Sequence, residues 1–238
     1  MKREKNKKIN LKKEYSQCWQ FIKESKKFIF WIIGIFLIFS IMGYFISPPE
    51  IINNQIMNFL ENLIEKTSNM SYLELNVFIF WNNLRASFFG LISGIFLGIY
   101  PIIMGITNGY LLGFVSSISV QSSGLATLLD IIPHGIFELP ALFLSLSLGV
   151  KLGLWLIIEP IKFYWKKQKI ISLLFILFYL PTLLITLMTN KEFEKKMTIS
   201  LNNCRRNSKK SLVIFLLIII PLLLIASIIE TLLISLIS

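Results

Sequence analysis

Long apolar runs separated by short polar and basic stretches constrain this chain more than any other feature. Six such segments run over 28–46, 84–106, 111–129, 130–150, 170–189 and 211–238. About 20 apolar residues suffice for a helix to cross a hydrocarbon core of about 30 Å. Only 16% of the residues are charged and 55% are hydrophobic, whereas a soluble domain carries about a quarter charged residues. The pattern therefore predicts an all-α, polytopic bundle of transmembrane helices with lipid as its solvent. The first run begins only at Phe28 and lacks a small-residue cleavage site, so it reads as a retained span. A net charge of +11 would suit nucleic acid, but the basic residues flank apolar spans. That placement fits a cytoplasmic face and anionic headgroups and excludes a nucleic-acid partner. Cys18 and Cys204 sit in polar flanks and read as free thiols.

Residues 1–27 hold ten Lys/Arg and three Glu. Leu11, Tyr15, Cys18, Trp19 and Ile22 recur there at helical spacing, as in an amphipathic helix on the inner leaflet. The rest, 28–238, reads as one transmembrane domain. Its connection 47–83 has four Glu and one Lys and is placed outside. There Ile51, Ile52, Ile56, Phe59, Leu60, Leu63 and Ile64 make one helical stripe, and Ser71 with Glu74 has capping-box spacing. An external helical cap resting on the bundle is expected. Gly90, Gly94 and Gly98, then Gly105, Gly109 and Gly113, form two small-residue ladders of the kind that let helices approach closely in lipid. They are expected to pack face to face, with a tight turn or helix break at Asn108-Gly109. Six crossings would place 190–210 outside, yet this amphipathic stretch has seven Lys/Arg against two Glu, which argues inside. One segment, the third or the fifth, is then a candidate re-entrant element.

Asp130, His134 and Glu138 lie four apart, within roughly one face of a helix, drifting about 40° per step. Ionisable groups in a span cost on the order of 3 kcal/mol each unless paired, hydrated or used. Arg85 is the expected counter-charge for one carboxylate, and Glu230 is a further membrane carboxylate. Asp130 has a structural explanation as a helix cap just before Pro133. Three readings compete for the rest. Asn83, Arg85 and Asn108 could satisfy His134 and Glu138 in a buried network that fixes how the helices assemble. His134 and Glu138 could instead serve as a proton or substrate relay. Catalysis or metal binding ranks third, because this is the only His, and neither HExxH nor GxSxG occurs.

Asn82-Asn83-Leu84-Arg85-Ala86, the glycine ladder, Asn108-Gly109 and the stretch Ile132-Pro133-His134-Gly135-Ile136-Phe137-Glu138-Leu139-Pro140-Ala141 resemble the stage II sporulation protein M family. The resemblance covers about 77–153, with 226–230 similar to the ending of many relatives. It implies an integral protein of the cytoplasmic membrane. The sporulation member anchors and localises two partners that remodel peptidoglycan during engulfment; relatives in cells without endospores have no assigned role. The polar positions carried over are Asn83, Arg85, Asn108, His134, Glu138 and Glu230.

The expectation is a non-enzymatic membrane scaffold that needs no cofactor or metal. Its partners would be membrane lipids, membrane proteins and, through the glycines, a second copy of the chain. The runner-up is a transporter or flippase of a small or lipid-linked substrate using His134 and Glu138. An intramembrane enzyme comes third.

Overall fold

The computed structural model describes residues 11–125, 128–167 and 191–237, and every regular element among them is helical. In chain order these are α1 (Leu11–Phe45), α2 (Glu50–Ser68), α3 (Tyr72–Ile92), a 3-10 turn (Ser93–Ile95), α4 (Ile99–Ser123), α5 (Leu128–Lys167), α6 (Lys191–Ile214), a π-helical turn (Phe215–Ile219) and α7 (Ile220–Ile237). Among the described residues, four stretches are long and apolar enough to cross a membrane: Glu14–Phe45, Ile99–Ser123, Gly135–Trp155 and Thr198–Ser235. The expected segment 170–189 lies outside the described residues, so a count of six is not reached.

The basic N-terminal turns are not a separate interfacial helix. They continue without a break into the first span, and the 35 residues of α1 make a rod of about 52 Å. Cys18 and Phe21 are buried against Ile214, Phe215 and Ile219, which joins the polar end of α1 to the core. The last segment behaves in the same way. The stretch 190–210, read as a connection, is helical from Lys191 and runs on through the π turn into α7. Among the described side chains of α6, Ser200, Cys204, Asn207, Ser211 and Ile214 are buried, one helical face. Pro221 explains the π turn. It has no N–H to offer the Leu217 carbonyl, and the ladder relaxes to a wider turn just before it. The Tyr15 hydroxyl donates to the Leu217 carbonyl at 3.4 Å.

The apolar run 84–106 is not one helix. α3 ends at Ile92, Leu97 and Gly98 take positive φ of 56° and 73°, and α4 starts at Ile99. Gly98, the residue before α4, takes the left-handed conformation that glycine adopts without steric cost. Pro101 is harmless because it falls in the first turn of α4, where N–H groups have no helical acceptor. Asn108-Gly109 makes neither a turn nor a break, since both residues lie inside α4.

The two glycine ladders pack against other helices and not against each other. A Cβ on Gly94 would strike the backbone of Gly149, and one on Gly98 would lie 3.1 Å from the Val150 carbonyl oxygen, so the first ladder seats the end of α3 and the junction to α4 on α5. A Cβ on Gly109 would strike the Phe36 carbonyl, and one on Gly113 that of Ser40, so the second seats α4 on α1. Gly43, Gly149 and Gly153 supply the opposing small surfaces. In both pairs the residue numbers rise together, so each pair runs parallel. Among the described residues, α1 and α4 form the most extensive helix pair.

α2 is not a cap sealed onto the bundle. None of its 19 residues is buried. Ile51, Ile52, Phe59 and Ile64 stay exposed, while Lys66 stands 5.0 Å over the Phe78 ring. The capping box at the start of α3 forms as the spacing implies. Glu74 Oε2 accepts from the Ser71 N–H at 2.8 Å and from its hydroxyl at 2.7 Å. Those two bonds hold the Glu74 carboxyl below its ordinary pKa of 4.5. A carboxylate depressed in the folded state contributes fully above its ordinary pKa and is lost as pH falls through the lowered one. Glu74→Ala should therefore speed hydrogen exchange over 72–75 at neutral pH and leave the bundle unchanged. The difference from the parent should vanish in acid, and equal exchange at neutral pH would refute the role.

Candidate functional site

Three helices, α3, α5 and α7, bring a line of polar side chains together. Asn76, Asn83 and Ser87 share one face of α3, being seven and four residues apart. Glu138 and Ser145 are seven apart on α5, and Ser227 and Thr231 are four apart on α7. The bonds run between helices. Asn76 Nδ2 donates to Thr231 Oγ1 at 3.3 Å. The Asn83 side chain lies near enough to the Glu138 carboxyl to act on it. The Ser145 hydroxyl donates to the Ser87 carbonyl. Glu230 lies near enough to Glu138 for the two carboxyls to act on each other electrostatically. Ser87, Ser145, Ser227 and Thr231 are buried. Within α7, Thr231 returns its own proton to the Ser227 carbonyl at 2.7 Å.

The structure thus joins Asn83, Glu138 and Glu230, three of the residues singled out from sequence, and separates others from them. Arg85 is exposed, with its guanidinium 5.5 Å over the Trp81 ring. It lines a cleft of about 610 Å³ with Leu73, Glu74, Val77, Phe78, Trp81 and Asn82. It is not the counter-charge of Glu138. Two residues along a helix turn the side chain by about 200°, so Asn83 and Arg85 point to opposite sides. Asn108 spends its amide on its own helix, donating to the Met104 carbonyl at 2.8 Å. Asp130 lies in the first turn of α5, which begins at Leu128, and His134 one turn later. The side chains of Asp130 and His134 lie outside the described residues. Among the described residues, no three His, Cys, Asp or Glu side chains converge as metal ligands.

Asn76, Thr231 and the Ser87–Ser145 pair were not picked out from sequence. A signal for Asn76 existed: it precedes Asn83 by seven residues, two turns, on the same face. Thr231 and the serines carry no charge, and single hydroxyls in apolar helices are too common to stand out.

The chemistry available to this line is cohesion. Interhelical hydrogen bonds in lipid contribute about 0.6 kcal/mol on average and up to about 2 kcal/mol. Bonds distributed over three helices fix their register as well as their contact.

A family model described as stage II sporulation protein M matches residues 32–233. An uncharacterized protein of Methanocaldococcus jannaschii is 31% identical over 144 residues, which are 59% of this chain and 63% of that protein. The match thus spans less than two thirds of that relative's length. No solved structure matches the chain.

Proposed function

Since the chain belongs to the stage II sporulation protein M family, we propose that it is a non-enzymatic scaffold that assembles or localises partner proteins at the cell membrane. The observation that carries this reading is α2. It is a 19-residue helix with no buried residue and an exposed apolar stripe through Ile52 and Phe59. Such a stripe is stable in water only when something covers it. The cover is a protein and not the lipid surface, because α2 carries Glu50, Glu61 and Glu65 against Lys66 alone, and anionic headgroups repel that balance.

The basic turns of α1 and α6 lie together, with Lys210 standing over the Phe21 ring. Positively charged flanks favour the cytoplasm. This end, with the N-terminus, is the cytoplasmic one, and α2 projects on the far side of the membrane. The polar line then holds α3, α5 and α7 in a single register, so that the arm is presented in one orientation. Glu138 and Glu230, neighbouring carboxyls inside the bundle, support a second reading, a transporter with a proton- or substrate-binding pair.

Site-specific photo-crosslinking in native membranes tests the first reading. A crosslinker at Phe59 should yield a discrete protein adduct. The same group at Glu61, on the opposite face of α2, should not. Lipid adducts alone at both positions would overturn the scaffold assignment.

A further inference from the structure

Among the described residues, Lys151 is the one charged side chain that is buried, at 5% exposure. It stands on α5, where Gly98 and Gly153 bring the start of α4 against the same turns. Its Nζ donates to Ser25 Oγ at 2.8 Å and lies 3.7 Å from the centroid of the Phe21 ring. Ser25 spends its own proton on the Phe21 carbonyl at 2.7 Å, so it faces Lys151 as an acceptor. A second ammonium, Lys210 of α6, lies 5.3 Å from the same ring. Beside it is a cleft of about 190 Å³ lined by Glu14, Gln17, Cys18, Lys209, Lys210 and Val213. Two carboxylates stand near. Glu24 acts electrostatically on Lys151, and Glu14 lines the cleft.

Two ammonium groups sharing one aromatic ring repel each other, and the ring and one hydroxyl offset that only in part. Three lysines, Lys151, Lys209 and Lys210, outnumber the two carboxylates. Ammonium groups converging between membrane helices at a basic, membrane-surface end match the chemistry of a phosphate ester, whose oxygens accept several charge-assisted hydrogen bonds at once. Trp31, exposed further along α1 and about four turns from Gln17 of the cleft on the same face, offers apolar surface for the acyl chains of a lipid carrying that phosphate. We propose that Lys151 and Lys210, gathered around Phe21 where α1, α5 and α6 meet, form a site for the phosphate of an anionic phospholipid.

The test is thermal unfolding of the full chain in detergent, titrated with phosphatidylglycerol, phosphatidylcholine or inorganic phosphate. Phosphatidylglycerol should raise the melting temperature saturably, and the other two should not. Lys210→Gln and Lys151→Gln should each weaken the apparent affinity about tenfold, the loss of one charge-assisted hydrogen bond. Lys66→Gln, on α2, should bind like the parent. Lys210 is exposed, so its variant decides the question even if Lys151→Gln does not fold. An equal shift with phosphatidylcholine, or undiminished affinity in Lys210→Gln, would overturn the site. A full shift with inorganic phosphate alone would overturn the lipid as its ligand.

Discussion

Gly113→Ala and Gly153→Ala should each destabilise the bundle by about 1–3 kcal/mol, the usual cost of overpacking a closed interface. The reason is what the added methyl meets. At Gly113 it strikes the Ser40 carbonyl of α1, and at Gly153 the Gly98 N–H and the Gly94 carbonyl. A flexible side chain could swing away, but backbone in a packed helix cannot, so the helices must separate along their whole length of contact. Two glycines supply the controls. Gly34 has nothing within 4 Å of the added atom, and at Gly105 the nearest atom is 3.8 Å away. Alanine at either should be tolerated or slightly stabilising, because it lowers the conformational entropy of the unfolded chain. Thermal unfolding in detergent reads all four. If Gly105→Ala proved as damaging as Gly113→Ala, close backbone approach would be the wrong account of the ladder.

The second large effect is expected at Asn83. Asn83→Leu removes the amide that acts on Glu138 and leaves a carboxyl partly buried among apolar helices. Stranding such a group costs about 1–3 kcal/mol. Glu138→Gln keeps an oxygen facing Asn83, so it should lose little stability by the same measurement. The pair of variants also separates the two functional readings. A scaffold whose polar line is cohesive should lose stability and partner crosslinking together in Asn83→Leu, and keep both in Glu138→Gln. A Glu138→Gln protein of full stability that fails its physiological task would sink the scaffold and favour a carboxyl that moves protons or substrate.

The helical class and the apolar stretches were legible from hydropathy, because lipid permits few alternatives to a helix whose backbone bonds are all internal. Breaks were harder to read. The run 84–106 is apolar around its break, from Phe88 to Ile92 and from Ile95 to Ile99, and nothing in its hydropathy marks the positive φ at Leu97 and Gly98. The break was expected at Asn108-Gly109, which lies inside a continuous α4, while Pro101 sits in the first turn of that helix, where proline is accepted freely. The glycines announced close packing but not its partner, since a small residue says how near a neighbour comes and nothing about which neighbour it is. Arg85 shows a different gap. Its charge suggested pairing with a carboxyl, whereas helical phase, readable from the sequence, already set it opposite Asn83 and alongside Trp81. The polar line was half legible: charge drew attention to Glu138 and Glu230, and the hydroxyls bonded around them were silent.

The parallel seat of α4 on α1 also bears on synthesis. Phe36 and Ser40 leave the ribosome well before Gly109 and Gly113, with α2 and α3 emerging in between. The first helix therefore enters the bilayer before the glycines that fit its backbone exist. It must remain laterally mobile, or be held by the insertion machinery, until the fourth arrives. A nascent chain stalled short of α4 would lack the most extensive helix pair among the described residues, which gives a quality-control system a simple criterion for recognising an unfinished molecule.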